Sequence, residues 1–309
     1  MVNRRWMVVL LIGAGVCRGA MAEVAAELTV GLGYRAGNLD WNIAGSGNGQ
    51  NPNVLSELSW SQLRIPQAML KLDLHNEGVH LLGGVEYGSV NAGANQDSDY
   101  DSDNRTDEFS RTNNQADGTV ADGSLGIGYR QLMPSMRGRT SYLMPMAGYS
   151  LHLQNLTMRD GNQTISSAGR TPPLGPIAGL DSRYDAQWHG PWWGLGIIEE
   201  DVARGVTLAL DIKYHLVRYS AEADWNLRSD FAHPVSFKHR ANGDGLSFSF
   251  NVTSRLSRNV SWLVGLDYGR WKTNYGVDTV YLAAGGIAQT RLNEVRWESL
   301  ALNVGLLLR

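Results

Sequence analysis

The chain is poor in cysteine, in basic charge and in long apolar runs, and each shortage excludes a class of protein. A single cysteine, Cys17, cannot form an internal disulfide or a cysteine-based zinc site. The 27 lysines and arginines do not exceed the 30 acidic residues, so the basic excess of a nucleic-acid-binding protein is missing and no nucleic acid is expected as a partner. Beyond the N-terminus no stretch reaches the roughly 18 apolar residues of a transmembrane helix.

The N-terminus has the pattern of an export signal. Arg4 and Arg5 precede an apolar stretch, and Ala20-Met21-Ala22 has the small-x-small pattern of a cleavage site. We therefore predict a signal peptide over residues 1–22, removed near Ala22, and a single mature domain over residues 23–309. Cleavage removes three arginines and the only cysteine, which leaves an acidic exported chain.

Apolar residues recur with a period of two in ten segments distributed over the mature chain. Such alternation is typical of strands with two different environments on their two faces. Ten candidate strands follow, with apolar positions near residues 28–34, 70–74, 79–87, 125–129, 143–153, 193–197, 206–216, 246–252, 260–268 and 300–308.

The connections between these strands alternate in length. Short ones lie near residues 75–78, 133–139, 199–205 and 257–259, and long polar ones near 42–54, 91–120, 155–185, 222–243 and 273–292. This sorting is typical of an outer-membrane β-barrel more than of a soluble sandwich. The fold prediction is an all-β, ten-stranded antiparallel transmembrane β-barrel with five long extracellular loops and short periplasmic turns. A barrel this narrow is filled by side chains, so function is expected on the loops.

The second long connection is strongly acidic, with six acids between Asp97 and Glu108. The run can be a solvated charge block. It can be a weak Ca²⁺ site, because its carboxylates have the spacing of an EF-hand loop, although Ser102 replaces the turn glycine. It can also be a catalytic pair, because acids two apart on a strand face the same side and can share a proton. The candidate metal ligands are Asp97, Asp99, Asp101, Asp103 and Glu108.

The sequence resembles the omptin family of ten-stranded outer-membrane endopeptidases. The stretches that carry the resemblance are residues 54–60 (VLSELSW), 97–100 (DSDY), 106–111 (TDEFSR), 146–149 (MAGY) and 213–214 (KY). The resemblance implies a cleft between loops, in which an Asp pair faces an Asp-His pair whose histidine activates a water. It also implies cleavage next to basic residues and a lipopolysaccharide requirement.

Carried over by residue, Asp97 and Asp99 match the Asp pair. An ungapped count from Lys213-Tyr214 puts Asp224 at the Asp of the Asp-His pair and Glu222 at an acid that reads basic substrates. The histidine position then holds Asn226, whose amide cannot act as a general base. His233 is an alternative base, brought in by a shift that pairs it with Asp230, and His239 lies on the same connection.

Two functions remain open at this point. One is an omptin-type aspartyl endopeptidase that cleaves near basic residues, with outer-membrane lipid and a basic peptide or protein as partners. The other is a non-catalytic barrel whose acidic loops bind a cationic peptide, a divalent ion or another surface. Neither requires a resident cofactor.

Overall fold

The computed structural model describes residues 24–134 and 139–309, which form thirteen β-strands and one short 3₁₀ turn. The predicted signal peptide lies outside the described residues. Within the described ranges, no helix has the length and apolarity to cross a bilayer. The strands are β1 (Ala25–Ile43), β2 (Ser56–Asn76), β3 (Val79–Val90), β4 (Ala92–Ser102), β5 (Thr106–Tyr129), β6 (Gln131–Leu132), β7 (Thr140–Ile165), β8 (Gly175–Asp201), β9 (Val206–Asp224), β10 (Phe237–Arg255), β11 (Val260–Thr273), β12 (Gly276–Tyr281) and β13 (Ile287–Leu308).

The long strands close into an antiparallel ring, as predicted. We call each of the ten strand positions around the ring a stave. Two staves are interrupted strands, because β3 continues as β4 and β11 continues as β12. The ring runs from β1 through β2, the β3–β4 stave, β5, β7, β8, β9, β10 and the β11–β12 stave to β13. It closes because β1 pairs with both β2 and β13. Among the described residues, closure leaves no open edge in the ring within the bilayer.

An exposed apolar belt surrounds the short-turn half of the ring. Each stave contributes alternate residues to it, such as Leu32 at 67% exposure and Val304 at 54%. Aromatic residues such as Tyr34 and Tyr87 are exposed near its upper edge, the usual position of an interfacial girdle. This belt is the surface that contacts lipid.

The five long polar connections are largely continuations of the strands above this belt. Only residues 44–55, 103–105, 166–174, 225–236 and 282–286 separate the strands at that end. Outside the bilayer both faces of a strand can be polar, so the period of two fades from the sequence while the hydrogen-bonded ladder continues. The extensions carry the candidate site on rigid strands.

The lumen is filled in two zones. Within the belt it holds ion pairs such as Arg35 with Glu86 at 2.8 Å and with Asp122 at 2.6 Å, around a cavity of about 450 Å³. Above the belt it holds a core of buried side chains that includes Trp60 and Trp188. This core lies beneath the extracellular strand ends, where the acidic residues are found.

Candidate functional site

One extra residue between β3 and β4 changes the face on which the following side chains lie. Val90 pairs with Gly118 of β5, but Ala94 already pairs with Gln115, so the stave contains one residue more than its partner over this interval. The additional residue is Asn91, whose backbone N–H donates to the Arg64 carbonyl at 2.9 Å. Such a bulge exchanges the two faces of a strand.

The exchange turns Asp97 and Asp99 toward the inside of the barrel. Asp97 pairs with Leu58, which is fully buried in the core, and Asp99 pairs with Ser56. Directly paired residues of antiparallel strands share a face, so both carboxyls lie on the inner face. Both also lie well outside the bilayer, because ten residues of strand, roughly 30 Å, separate Asp97 from the last belt residue, Tyr87.

The Asp97–Asp99 pair holds a proton at neutral pH. Desolvation, and then the charge of Asp99, raise the pKa of Asp97 to about 8, while the Trp225 side chain and the Arg228 charge act in the opposite direction. Desolvation also raises the pKa of Asp99, against hydrogen bonds from Ser56 and Ser110 and the charges of Arg228 and Arg170. Two adjacent carboxyls in a poorly hydrated site cannot both ionise easily.

The acids of β9 lie on the other face of the barrel wall. Ala221 and Ala223 are each only 2% exposed and belong to the core, whereas Glu222 between them is exposed. Glu222 pairs with Lys238 of β10, with a distance of 2.6 Å between its Oε1 and the lysine Nζ. Asp224 follows in the same alternation and therefore lies on the outer face, at the end of its strand.

His233 forms a pair with Asp224. Its Nδ1 lies 2.6 Å from Asp224 Oδ1, and its Nε2 lies 3.2 Å from the Arg228 carbonyl oxygen. The hydrogen bond with Asp224 raises the pKa of the imidazole. Asp230, the partner considered from the sequence, instead accepts two hydrogen bonds from the Arg228 guanidinium, at 2.9 and 2.8 Å.

Asn226 has a structural role. Its amide donates to the Gly179 carbonyl at 2.7 Å, and its oxygen accepts from the Asp181 N–H and the Ser182 hydroxyl, each at 3.0 Å. The side chain thus ties the end of β9 to the start of β8. Counted along the chain it stands at the histidine position, but it is directed toward the β8 backbone.

His239 lies in the core, beneath the strand ends. Its side chain is fully buried, its Nδ1 lies 2.8 Å from the Tyr184 hydroxyl, and its Nε2 lies 3.4 Å from Asp278. The ring also packs against Trp41. A histidine enclosed in this way has no access to a peptide on the surface.

The structure therefore assembles two separate groups of acids. Among the described residues, the groups that act on the Asp97 and Asp99 carboxyls are each other, two serines, Trp225 and nearby arginines, and neither Asp224 nor His233 is among them. The inner pair forms an acidic site bordered by an indole and a guanidinium. The outer pair is an imidazole oriented by a carboxylate.

The remaining carboxylates of the acidic run do not converge on one point. Asp101 binds Arg170 at 2.6 and 3.0 Å, and Asp103 accepts from the Asn53 N–H at 2.7 Å. Glu108 is paired with Arg111. Each of these carboxylates already has a donor, and among the described residues they do not share one coordination centre.

Two residues of this site were missed by the sequence reasoning, Trp225 and Arg228. Alternation along β9 could have indicated Trp225, because the apolar residues Ile212, Tyr214 and Leu216 occupy the even positions that face lipid. Odd positions beyond them must then face inward. Arg228 lies in a connection, where no periodicity indicates direction.

Comparison with known proteins supports the fold. A family model described as "Pom: Protochlamydia outer membrane protein" matches residues 29–308, while no curated protein sequence matches. Among solved structures, the outer membrane protease OmpT from Escherichia coli superposes with a TM-score of 0.72 at 16% identity, covering 92% of this chain and 96% of that chain. At this identity the likeness concerns the fold alone, and it confirms the omptin-like barrel predicted from the sequence.

More distant barrels are also similar. The translocator domain of the autotransporter NalP from Neisseria meningitidis has a TM-score of 0.32 at 12% identity, covering 91% of this chain and 88% of that chain. A Pseudomonas aeruginosa FadL homologue has a TM-score of 0.28 at 9% identity, covering 92% and 90%.

Proposed function

As the chain belongs to the Protochlamydia outer membrane protein family and forms an outer-membrane β-barrel, we propose that its extracellular end binds cationic peptide segments without cleaving them. The observation that carries the proposal is the separation of the two acid groups. Asp97 and Asp99 lie on the inner face, whereas Asp224 and His233 pair on the outer face. A water held by the inner pair then has no imidazole to accept its proton, and general-base catalysis ordinarily contributes about 10² to 10⁴ in rate.

The inner pair has the chemistry of a cation site. Two adjacent carboxyls can accept a bidentate guanidinium, the strongest common arrangement for an arginine side chain. The neighbouring Trp225 adds an aromatic surface suited to a cation. Arg228 already contributes positive charge to both carboxyls, so a basic peptide would compete with it for the same acids.

The test measures binding and cleavage in one sample. Mature protein, refolded in detergent with and without lipopolysaccharide, is titrated into a fluorescent peptide that contains an Arg-Arg pair. Anisotropy reports binding, and mass spectrometry of the same sample reports cleavage. At pH 9, where both carboxyls can ionise, we expect saturable binding of an intact peptide, weakened by Asp97→Asn and by Asp99→Asn.

Glu222→Gln is the matched control, because it removes an acid of the same region from the outer face. Equal weakening by Glu222→Gln and Asp99→Asn would mean that general negative charge, not the inner pair, attracts the peptide. Absence of binding at any peptide concentration that leaves the barrel folded would contradict the proposal.

A second function, endopeptidase activity, is favoured by one observation. The 2.6 Å contact with Asp224 orients the His233 imidazole in a way that suits a general base. If the protein is an endopeptidase, the peptide is cut beside its basic pair and His233→Ala abolishes the cut. Cleavage that survives His233→Ala would point to a contaminating protease.

A further inference from the structure

A tight hairpin joins β2 and β3 at the short-turn end of the barrel. Its two turn residues, Glu77 and Gly78, have φ angles of 46° and 90°, the left-handed region required by the hairpin turns that match strand twist. This turn sets the register of the strands and pairs His75 directly with His80. Residues paired in this way lie on the same face.

Asp73 joins these histidines on the inner face. It precedes His75 by two residues, and its two carboxylate oxygens each lie 2.9 Å from His80 Nδ1. His75 Nδ1 lies 3.7 Å from Asp73 Oδ1. One ligand atom from each of the three residues lies within 4.8 Å of the other two.

The His75 side chain carries the observation that an internal hydrogen bond does not explain. Its Nδ1 atom is buried and has no hydrogen-bond partner among the described residues. The two imidazole rings are stacked, with centroids 4.9 Å apart and an angle of 20° between their planes. The contact of His80 with Asp73 is sufficient to hold the two strands of the hairpin together. His75 Nδ1 is directed toward the same carboxylate but forms no hydrogen bond with it.

We propose that Asp73, His75 and His80 bind a divalent transition-metal ion at the periplasmic mouth of the lumen. Imidazole nitrogen and carboxylate oxygen are suitable ligands for Zn²⁺, Ni²⁺ and Co²⁺, at distances of about 2.0 to 2.2 Å for Zn²⁺. The three ligand atoms lie within 4.8 Å of one another, close enough to surround one ion. Three protein ligands leave a coordination position open, and all three residues line the cavity of about 450 Å³, so this position faces the lumen.

The site is independent of the extracellular cleft. It lies at the opposite end of the barrel, on a hairpin that shares no residue with the acidic run. Glu200, which lines the same cavity, is paired with Arg130. The ion would cross-link β2 and β3 next to their turn.

The experiment uses mature protein without a polyhistidine tag, folded in detergent and freed of metal by a chelator. Calorimetry with Zn²⁺ should show one site per chain, unaffected by excess Mg²⁺ or Ca²⁺. His75→Ala and His80→Ala should each weaken binding by about 100-fold or more, since even indirect contacts to a metal ligand are worth 10- to 100-fold. His189→Ala is the matched control, because His189 bonds Tyr149 on the outer wall.

Co²⁺ absorption provides a second readout that does not depend on stability. Visible bands of a low-coordinate site should appear in the wild type and in His189→Ala, and disappear in His75→Ala and His75→Gln. Heat-modifiable gel migration shows that each variant is folded. Absence of stoichiometric Zn²⁺ binding in the wild type, or binding that persists in folded His75→Ala and His80→Ala, would overturn the proposal.

Discussion

The stave formed by β3 and β4 and the strand β9 each carry two acids spaced two residues apart above the apolar belt, yet they direct them to opposite faces. In the first, the extra residue Asn91 exchanges the faces, and Asp97 and Asp99 turn inward. In the second, the register with both neighbours is continuous to the end of the strand, so Asp224 keeps the outer face. One inserted residue thus decides whether an acid pair lies on the inner or the outer face of the barrel wall.

Removing the bulge should have the largest effect. Deletion of Asn91 is expected to abolish binding of a basic peptide, because Asp97 and Asp99 would move to the outer face or pairing with β5 would be lost. Asn91→Ser keeps the chain length and is the control, with binding close to that of the wild type. A folded deletion variant with undiminished binding would show that the bulge does not orient the pair.

Neutralising the inner acids one at a time should have the next largest effect. At pH 9, where Asp97 is ionised, Asp97→Asn and Asp99→Asn should each remove a charge-assisted hydrogen bond of about 1.5 to 3 kcal/mol, so peptide affinity should fall about 10- to 100-fold. Asp224→Asn, on the outer face, should change the affinity by less than about threefold, as is typical of a screened surface charge. If anisotropy shows that the Asp224 variant loses as much affinity as the Asp99 variant, the inner and outer acids do not differ in peptide binding.

The ring and the spacing of the acids could be predicted from the sequence. The face of the barrel wall on which each acid lies could be predicted only in part. Alternation within the bilayer is enforced by lipid on one side, so the ten staves and the shared face of Asp97 and Asp99 were predictable. On β9 the even-numbered apolar residues also specify that Asp224 faces outward. The ungapped count from Lys213-Tyr214 uses only the spacing of residues along the chain. It does not consider the face of the strand on which each side chain lies.

The Asn91 bulge and the partner of His233 could not be read in this way. A bulge is specified by hydrogen bonds with neighbouring strands that are distant in sequence, such as the one that Asn91 donates to Arg64. His233 lies in a connection whose path depends on local turns. Its pairing with Asp224 therefore emerges only in three dimensions.

The pH dependence of binding should distinguish the two faces with a smaller effect. The pKa of Asp97 is raised to about 8, so its carboxyl is mostly protonated at pH 7 and ionised at pH 9. Affinity for an arginine peptide should therefore rise severalfold between these values, because arginine keeps its charge throughout. Asp97→Asn should flatten the profile and Glu222→Gln should not, as followed by anisotropy at constant ionic strength.

Asn226→His should have the smallest effect. It gives the Asp-x-His spacing of the omptins but loses the hydrogen bonds to Gly179, Asp181 and Ser182, at a cost of about 1 to 3 kcal/mol. We expect slightly earlier thermal unfolding and no peptide cleavage by mass spectrometry. A rise in cleavage would instead bring position 226 into the cleft and support the ungapped count.

The most direct test is a carboxyl ¹³C NMR titration of Asp97 in the folded protein, with aspartate labelled and the signal assigned by Asp97→Asn. We expect a midpoint near the pKa of about 8, raised further in Arg228→Ala because that guanidinium opposes protonation, and unchanged in His233→Ala. A midpoint that moves in His233→Ala would contradict it, because the imidazole would then share the cleft with the Asp pair.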